Sequence, residues 1–152
     1  MARYLNIYVA GEPRAQQRPR FSTRNGFVKT YDPEKSRDAK ALIGMMARHE
    51  LGNQPMLEGD LMLALTVNKL PPKSWSKKKQ AEAIGKGITS KPDLDNYIKL
   101  VLDALNGVWF RDDSCIASIM ARKKWSKDKE GMLIMVSEII TEHREDEDQE
   151  SD

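Results

Sequence analysis

Cysteine occurs once in the 152 residues, at position 115, which excludes an intramolecular disulfide and any multi-cysteine metal centre. Cys115 opens an alternating apolar run, where a small buried hydrophobe is the expected reading. Histidine is nearly as scarce. His49 has no second histidine at metal-ligand spacing and reads as an ordinary helix-end residue. Long apolar runs are missing too: none approaches the roughly 18 residues of a membrane span. The opening Met1-Ala2-Arg3-Tyr4-Leu5-Asn6 lacks the apolar segment of a signal peptide. The expected location is therefore the cytoplasm, with no membrane partner. Nothing in the pattern calls for a small-molecule organic cofactor.

Acidic residues are absent from Arg14 to Lys29 and crowded at the far end. Residues 142–152 carry seven acids against Arg144, a sum of −6, so the chain's net +2 leaves +8 on residues 1–141. A basic body attracts phosphodiester backbones and makes binding salt-dependent. The tail has too little apolar content to fold, and it is expected to be disordered and solvated. With 39% apolar residues, the body is long enough for one domain with a real core and too short for two. The expected organisation is one domain over 1–141 and an acidic tail over 142–152.

Leu5, Ile7 and Val9 alternate with polar neighbours and predict a first strand that stops at Gly11-Glu12-Pro13. The next stretch holds Arg14, Arg18, Arg20, Arg24 and Lys29 with Phe21 and Phe27 interleaved. It reads as a mobile loop or irregular hairpin. Arginines with scattered aromatics suit phosphate contact and stacking on unpaired bases. Asp32 and Pro33 then predict the cap and first turn of a helix with Ala39, Leu42, Ile43, Met46 and Ala47 on its core face, ending near Gly52. Leu61, Leu63, Leu65 and Val67 form one face of a second strand that Pro71-Pro72 terminates. From Lys69 to Lys91, seven lysines face one acid, Glu82. Ser76 can cap a short helix there, either solvated or DNA-facing. After the acidic region, Cys115, Ala117, Ile119 and Ala121 predict one face of a strand running into Arg122-Lys123-Lys124-Trp125. Lys127 to Gly131 is expected to be a hairpin turn leading to a last strand, Met132 to Ile140. The order predicts an α+β fold, a mixed β-sheet with helices packed on it.

The densest chemistry lies between these elements, in Lys91-Pro92-Asp93-Leu94-Asp95-Asn96-Tyr97-Ile98-Lys99 and Arg111-Asp112-Asp113-Ser114. Leu94, Tyr97, Ile98, Val101, Leu102 and Leu105 recur with helical period and predict an amphipathic helix ending near Asn106-Gly107. Asp95, Lys99 and Asp103 are four residues apart and form a row on its flank. Asp93 sits at its first turn, where free N–H groups favour a carboxylate. Taken singly, each acid has an adequate structural role as cap, i,i+4 partner or turn residue. Together they are more acid than local stability requires, and they suit Mg²⁺, a hard ion that accepts one or two carboxylates, waters and phosphate oxygens.

These segments resemble the RusA family of Holliday-junction resolvases of phage and prophage type. The resemblance rests on Lys91-Pro92-Asp93-Leu94-Asp95-Asn96, Lys99, Leu102-Asp103-Ala104-Leu105-Asn106-Gly107 and Trp109-Phe110-Arg111-Asp112-Asp113-Ser114. A second part lies near the N-terminus, in Gly11-Glu12-Pro13, Gln17-Arg18-Pro19-Arg20-Phe21 and Tyr31-Asp32-Pro33. It covers most of the chain from Val9 to about Lys124, and the lysine-rich stretch from Lys69 to Ser90 is longer than in compact members. The resemblance implies metal binding by Asp93, Asp95 and Asp113, a catalytic Lys99, and weaker matches at Asp112 and Asp103. It also implies a homodimer with two active sites.

The expected function is Mg²⁺-dependent hydrolysis of four-way DNA junctions in recombination and repair, with Mn²⁺ able to substitute. Asp93, Asp95 and Asp113 would hold the metal, Lys99 would stabilise the transition state or orient the water, and Asp112 and Asp103 are further candidates. Arg14, Arg18, Arg20, Arg24, Lys91, Arg122, Lys123 and Lys124 are the expected DNA contacts. Two alternatives stay open: a non-catalytic DNA-binding accessory protein, and a nuclease of the same fold acting on flaps, forks or linear duplex.

Overall fold

A computed structural model describes residues 2–24, 26–31 and 33–140. The capping role expected of Asp32 and the acidic tail from residue 142 lie outside the described residues. Leu5, Ile7 and Val9 form the buried face of β1 (Tyr4–Ala10), and Gly11 ends it with a positive φ of 105°. The arginine-rich stretch contains a ribbon, β2 (Arg20–Arg24) paired antiparallel with β3 (Phe27–Tyr31). Helix α1 (Glu34–Leu51) follows with Pro33 at its cap position. Its buried residues are Ser36, Ile43, Gly44 and Ala47, whereas Leu42, expected in the core, is 42% exposed. β4 (Leu61–Lys69) alternates strictly, with Leu61, Leu63, Leu65 and Val67 buried.

Ser76 caps α2 (Lys77–Ala83), its hydroxyl accepting from the Lys79 N–H at 3.2 Å. Trp75 before it packs edge-on against Trp125 at 5.2 Å, with the Lys79 ammonium over the Trp75 ring. α3 (Leu94–Leu105) buries Tyr97, Leu100, Val101, Ala104 and Leu105. This face is displaced toward Leu100 from the stripe the periodicity suggests, because α3 packs against both α1 and the sheet. The contact with α1 is close: a Cβ at Gly44 would lie 3.6 Å from the Ala104 carbonyl oxygen.

β5 (Ile116–Trp125) and β6 (Gly131–Glu138) complete a four-stranded sheet of order β1-β6-β4-β5. β6 is antiparallel to both β1 and β4, and β5 is parallel to β4. The expected hairpin between β5 and β6 therefore does not form. The fully apolar inner face of β4 places it centrally, and the 126–130 segment crosses its end, where the Ser126 N–H donates to the Lys69 carbonyl at 2.8 Å. The expected face of Cys115, Ala117, Ile119 and Ala121 is also broken. Cys115 belongs to a 3₁₀ turn, Asp113–Cys115. The register slips after the Leu61–Ile116 pair, so Ala117 is the extra residue, while Ile119 pairs with Leu63 and Ala121 with Leu65. The buried face of the sheet meets α1 and α3 in one core. The other face is open, with Tyr4 62% and Met120 69% exposed.

Candidate active site

Asp93 occupies the cap position of α3 but makes no side-chain cap hydrogen bond. Its carboxylate instead accepts from the Lys91 ammonium at 2.8 Å, across a cis Lys91–Pro92 bond. That hydrogen bond holds the Asp93 carboxyl below its ordinary range, with smaller pulls from the charges of Lys91 and Lys123. Capping thus does not account for this acid. Asp95, in the first turn, forms an i,i+4 ion pair with Lys99 at 3.6 Å, and both side chains are mostly exposed. Two carboxylates, each paired with a lysine, therefore stand at the N-terminal end of α3, a donor set suited to a hard divalent ion that keeps most of its waters.

The arginine-rich loop passes beside this end. The Gln16 N–H donates to the Asn96 carbonyl at 2.9 Å, and the Gln17 N–H to the buried Ser36 hydroxyl at 3.1 Å. Arg14 is paired with Glu12 at 3.3 Å, and Arg18 is exposed. The side chains of Arg20 and Arg24 lie outside what the structure describes. Lys91 is exposed as well as bonded to Asp93. Below them the Tyr97 ring is fully buried, its hydroxyl without a hydrogen-bond partner among the described residues, and burial pushes its pKa up.

Asp113 lies elsewhere. α3 has twelve residues, about 18 Å at 1.5 Å per residue. Asn106 ends it, and a turn closed by Gly107 N–H to Phe110 carbonyl at 2.9 Å follows. Trp109 and Phe110 are fully buried there. The Trp109 indole donates to the Ala47 carbonyl at 2.8 Å, and this anchor sets Arg111, Asp112 and Asp113 on the surface at the start of β5. Asp112 accepts from the Ser114 N–H at 3.3 Å, and its bonds to Ser114 lower its pKa. Asp103, on the last turn of α3, pairs with Lys40 of α1 at 3.4 Å. One chain thus gathers Asp93, Asp95 and Lys99 at one end of α3 and leaves Asp112 and Asp113 toward the other. Among the described residues, no group of three His, Cys, Asp or Glu side chains could hold a metal ion.

The three consecutive basic residues of β5 are divided by strand alternation. Thr66 pairs with Arg122 and Asn68 with Lys124, on the open face, while Val67 pairs with Lys123, on the helix-covered face. The Lys123 ammonium donates to the Ser90 carbonyl at 2.7 Å and the Pro92 carbonyl at 2.8 Å. A run of cations by itself carries no sign of which face each residue takes, which is why Lys123 is expected alongside its neighbours. The strand period was the signal that could have separated it.

The chain belongs to the RusA endodeoxyribonuclease family, whose model matches residues 10–137, and an acidic helix end beside an arginine-rich loop on a mixed sheet suits an enzyme that acts on DNA. It is also similar to the uncharacterized protein YqaN of Bacillus subtilis strain 168. The two are 38% identical over 139 residues, which span 89% of this chain and 96% of that protein. No helix among the described residues is long and apolar enough to cross a membrane.

Proposed function

We propose that the protein is a Mg²⁺-dependent endonuclease that resolves four-way DNA junctions as a homodimer. The observation that carries this reading is the pair Asp93 and Asp95, both exposed and each paired with a lysine, Lys91 and Lys99, on a chain of this family. The donors fit a hard divalent ion: Asp93 is not spent on capping, and Lys91 is a monodentate partner that a stronger cation displaces. Bound there, Mg²⁺ would neutralise charge on the scissile phosphate and make a water more acidic. Lys99 would offset charge developing on the phosphate oxygens once Asp95 turns toward the metal. Arg14 and Arg18 would hold the flanking backbone, contacts that fix register without reading sequence.

Asp113 enters the mechanism through the dimer. Among the described residues, the outer edge of β5 pairs with the 85–88 segment at its C-terminal end alone, by Gly85 N–H to Trp125 carbonyl at 2.8 Å and by Ile88 N–H to Lys123 carbonyl and Trp125 N–H to Lys86 carbonyl, both at 3.0 Å. Ile119 and Met120 stand 46% and 69% exposed on the remaining edge. An unpaired apolar edge is a template for another strand. Antiparallel pairing of two such edges about an axis near Ile119 would carry the partner subunit's Asp113 toward the end of the sheet that holds Asp93 and Asp95. A two-fold dimer also matches a two-fold junction, whose productive resolution needs paired nicks.

The test is cleavage of a synthetic four-way junction with and without Mg²⁺, alongside flaps, forks and linear duplex. Symmetric nicks that require Mg²⁺ and disappear in Asp95→Asn, with junction binding retained or tightened, are expected. A shifted but uncut junction in wild-type protein would point to the accessory-protein reading. Preferential cutting of flaps or duplex would reassign the substrate.

A further inference from the structure

We infer that Lys123 is a positioning residue that sets the placement of Asp93, and not a DNA contact; the inference rests on the reading of Asp93 and Asp95 as metal-holding acids. Its neighbours Arg122 and Lys124 register onto the open face of the sheet, whereas Lys123 registers with buried Val67 toward the helices. Its ammonium has three protons to donate. Two are engaged, by the Ser90 carbonyl at 2.7 Å and the Pro92 carbonyl at 2.8 Å. The main chain repeats the attachment, since the Lys123 carbonyl accepts from the Ile88 N–H at 3.0 Å.

The consequence lies in where the second carbonyl sits. The Pro92 carbonyl belongs to the planar peptide unit that ends at the Asp93 Cα. Fixing that oxygen therefore fixes the N–Cα bond that carries the Asp93 side chain, leaving only rotation about that bond. Asp93 has no side-chain cap bond that would orient it otherwise. The segment 90–92 holds no helix or strand hydrogen bonds of its own, so the ammonium acts as a two-point staple between a rigid strand and the turn that presents the acid. Groups one step removed from a metal orient its ligands, and their loss typically costs about 10- to 100-fold in metal affinity.

The test compares wild type with Lys123→Met and Lys123→Arg, using Mn²⁺ binding followed by electron paramagnetic resonance, junction affinity in EDTA over a range of salt, the Mg²⁺ concentration at half-maximal cleavage, and hydrogen exchange of amides 90–96. Lys123→Met is expected to weaken Mn²⁺ binding about ten-fold and to raise the half-activating Mg²⁺ concentration in parallel. Exchange of the 90–96 amides rises, while junction affinity stays within about two-fold and its salt dependence is unchanged. Lys123→Arg, which keeps donors for both carbonyls, recovers most of the metal affinity and also decides the case should the methionine variant fail to fold. A salt slope reduced by about one with Mn²⁺ binding intact would make Lys123 a phosphate contact. Unchanged exchange and unchanged Mn²⁺ binding would overturn the staple. Wild-type protein that neither binds Mn²⁺ nor cuts would overturn the metal-site reading, and the exchange measurement alone would then decide whether Lys123 places the turn.

Discussion

The Lys40 ammonium on α1 lies 3.4 Å from the Asp103 carboxylate on α3, and the Lys40 side chain is mostly buried while Asp103 is half exposed. The pair links the two helices near their close crossing at Gly44 and Ala104. This gives Asp103 a structural duty at the end of α3 away from Asp93. Asp103→Asn is expected to lower stability by less than about 1 kcal/mol, the range of partly exposed pairs, and to leave Mg²⁺-dependent cleavage within about two-fold of wild type on the proposed mechanism. Urea unfolding and junction cleavage measure the two effects. A loss of cleavage as deep as that of Asp95→Asn would return Asp103 to the metal site.

Mixing two inactive variants tests whether the acids act across a dimer. A heterodimer of Asp95→Asn and Asp113→Asn chains contains one site with all three aspartates if Asp113 serves the partner subunit, and none if it serves its own chain. Co-refolded variants are therefore expected to regain nicking of one strand, at roughly a quarter of wild-type rate from random pairing and one site per heterodimer. A mixture as inactive as its components would place Asp113 in its own subunit's site or outside the chemistry.

The Asp93 carboxyl should titrate below the ordinary Asp value of about 3.9, because the Lys91 hydrogen bond favours its charged form. A depressed folded-state pKa adds stability that is fully present above the unfolded value and is lost as pH falls through the folded one. Carbon-detected NMR titration of metal-free protein checks this. Lys91→Met should raise the Asp93 midpoint toward the unperturbed value, and an unmoved midpoint would mean that the ion pair does not persist in solution.

Two buried aromatics should respond in opposite directions to losing a polar atom. Trp109→Phe removes the indole donor of a buried bond to the Ala47 carbonyl, which keeps its helical partner in α1, at a cost of about 0.5–1.5 kcal/mol for the lost bond. Tyr97→Phe removes a buried hydroxyl with no partner among the described residues and should be neutral or stabilising by up to about 1 kcal/mol. Denaturant midpoints report both, and a destabilised Tyr97→Phe would show that the hydroxyl finds a partner in solution.

Local periodicity carried much of the fold. The alternation of Leu61 to Val67 and the helical repeat from Leu94 to Leu105 are short-range signals, and both elements form close to where those signals put them. The Asn25-Gly26 dipeptide is a hairpin signal of the same kind, and the arginine-rich stretch around it contains the β2–β3 ribbon. What lay beyond the sequence was long-range. The order of the strands depends on which faces find each other, and nothing in the apolar pattern of β5 announces that β4 will separate it from β6. The bulge at Ala117 hides for a similar reason: one extra residue in a strand costs little in pattern and moves every following side chain to the other face. The acids were legible as a group because they lie close in sequence. A rigid helix turns that closeness into separation, so Asp93 and Asp113 arrive at different ends of α3.

That separation bears on safety as well as chemistry. If three carboxylates meet only where two chains meet, a solitary chain can rest on DNA through its arginines without cutting it. At concentrations below the dimer dissociation constant, cleavage would then rise with the square of the protein present. A nuclease built this way stays quiet when diluted across a genome and becomes active where copies gather on one substrate.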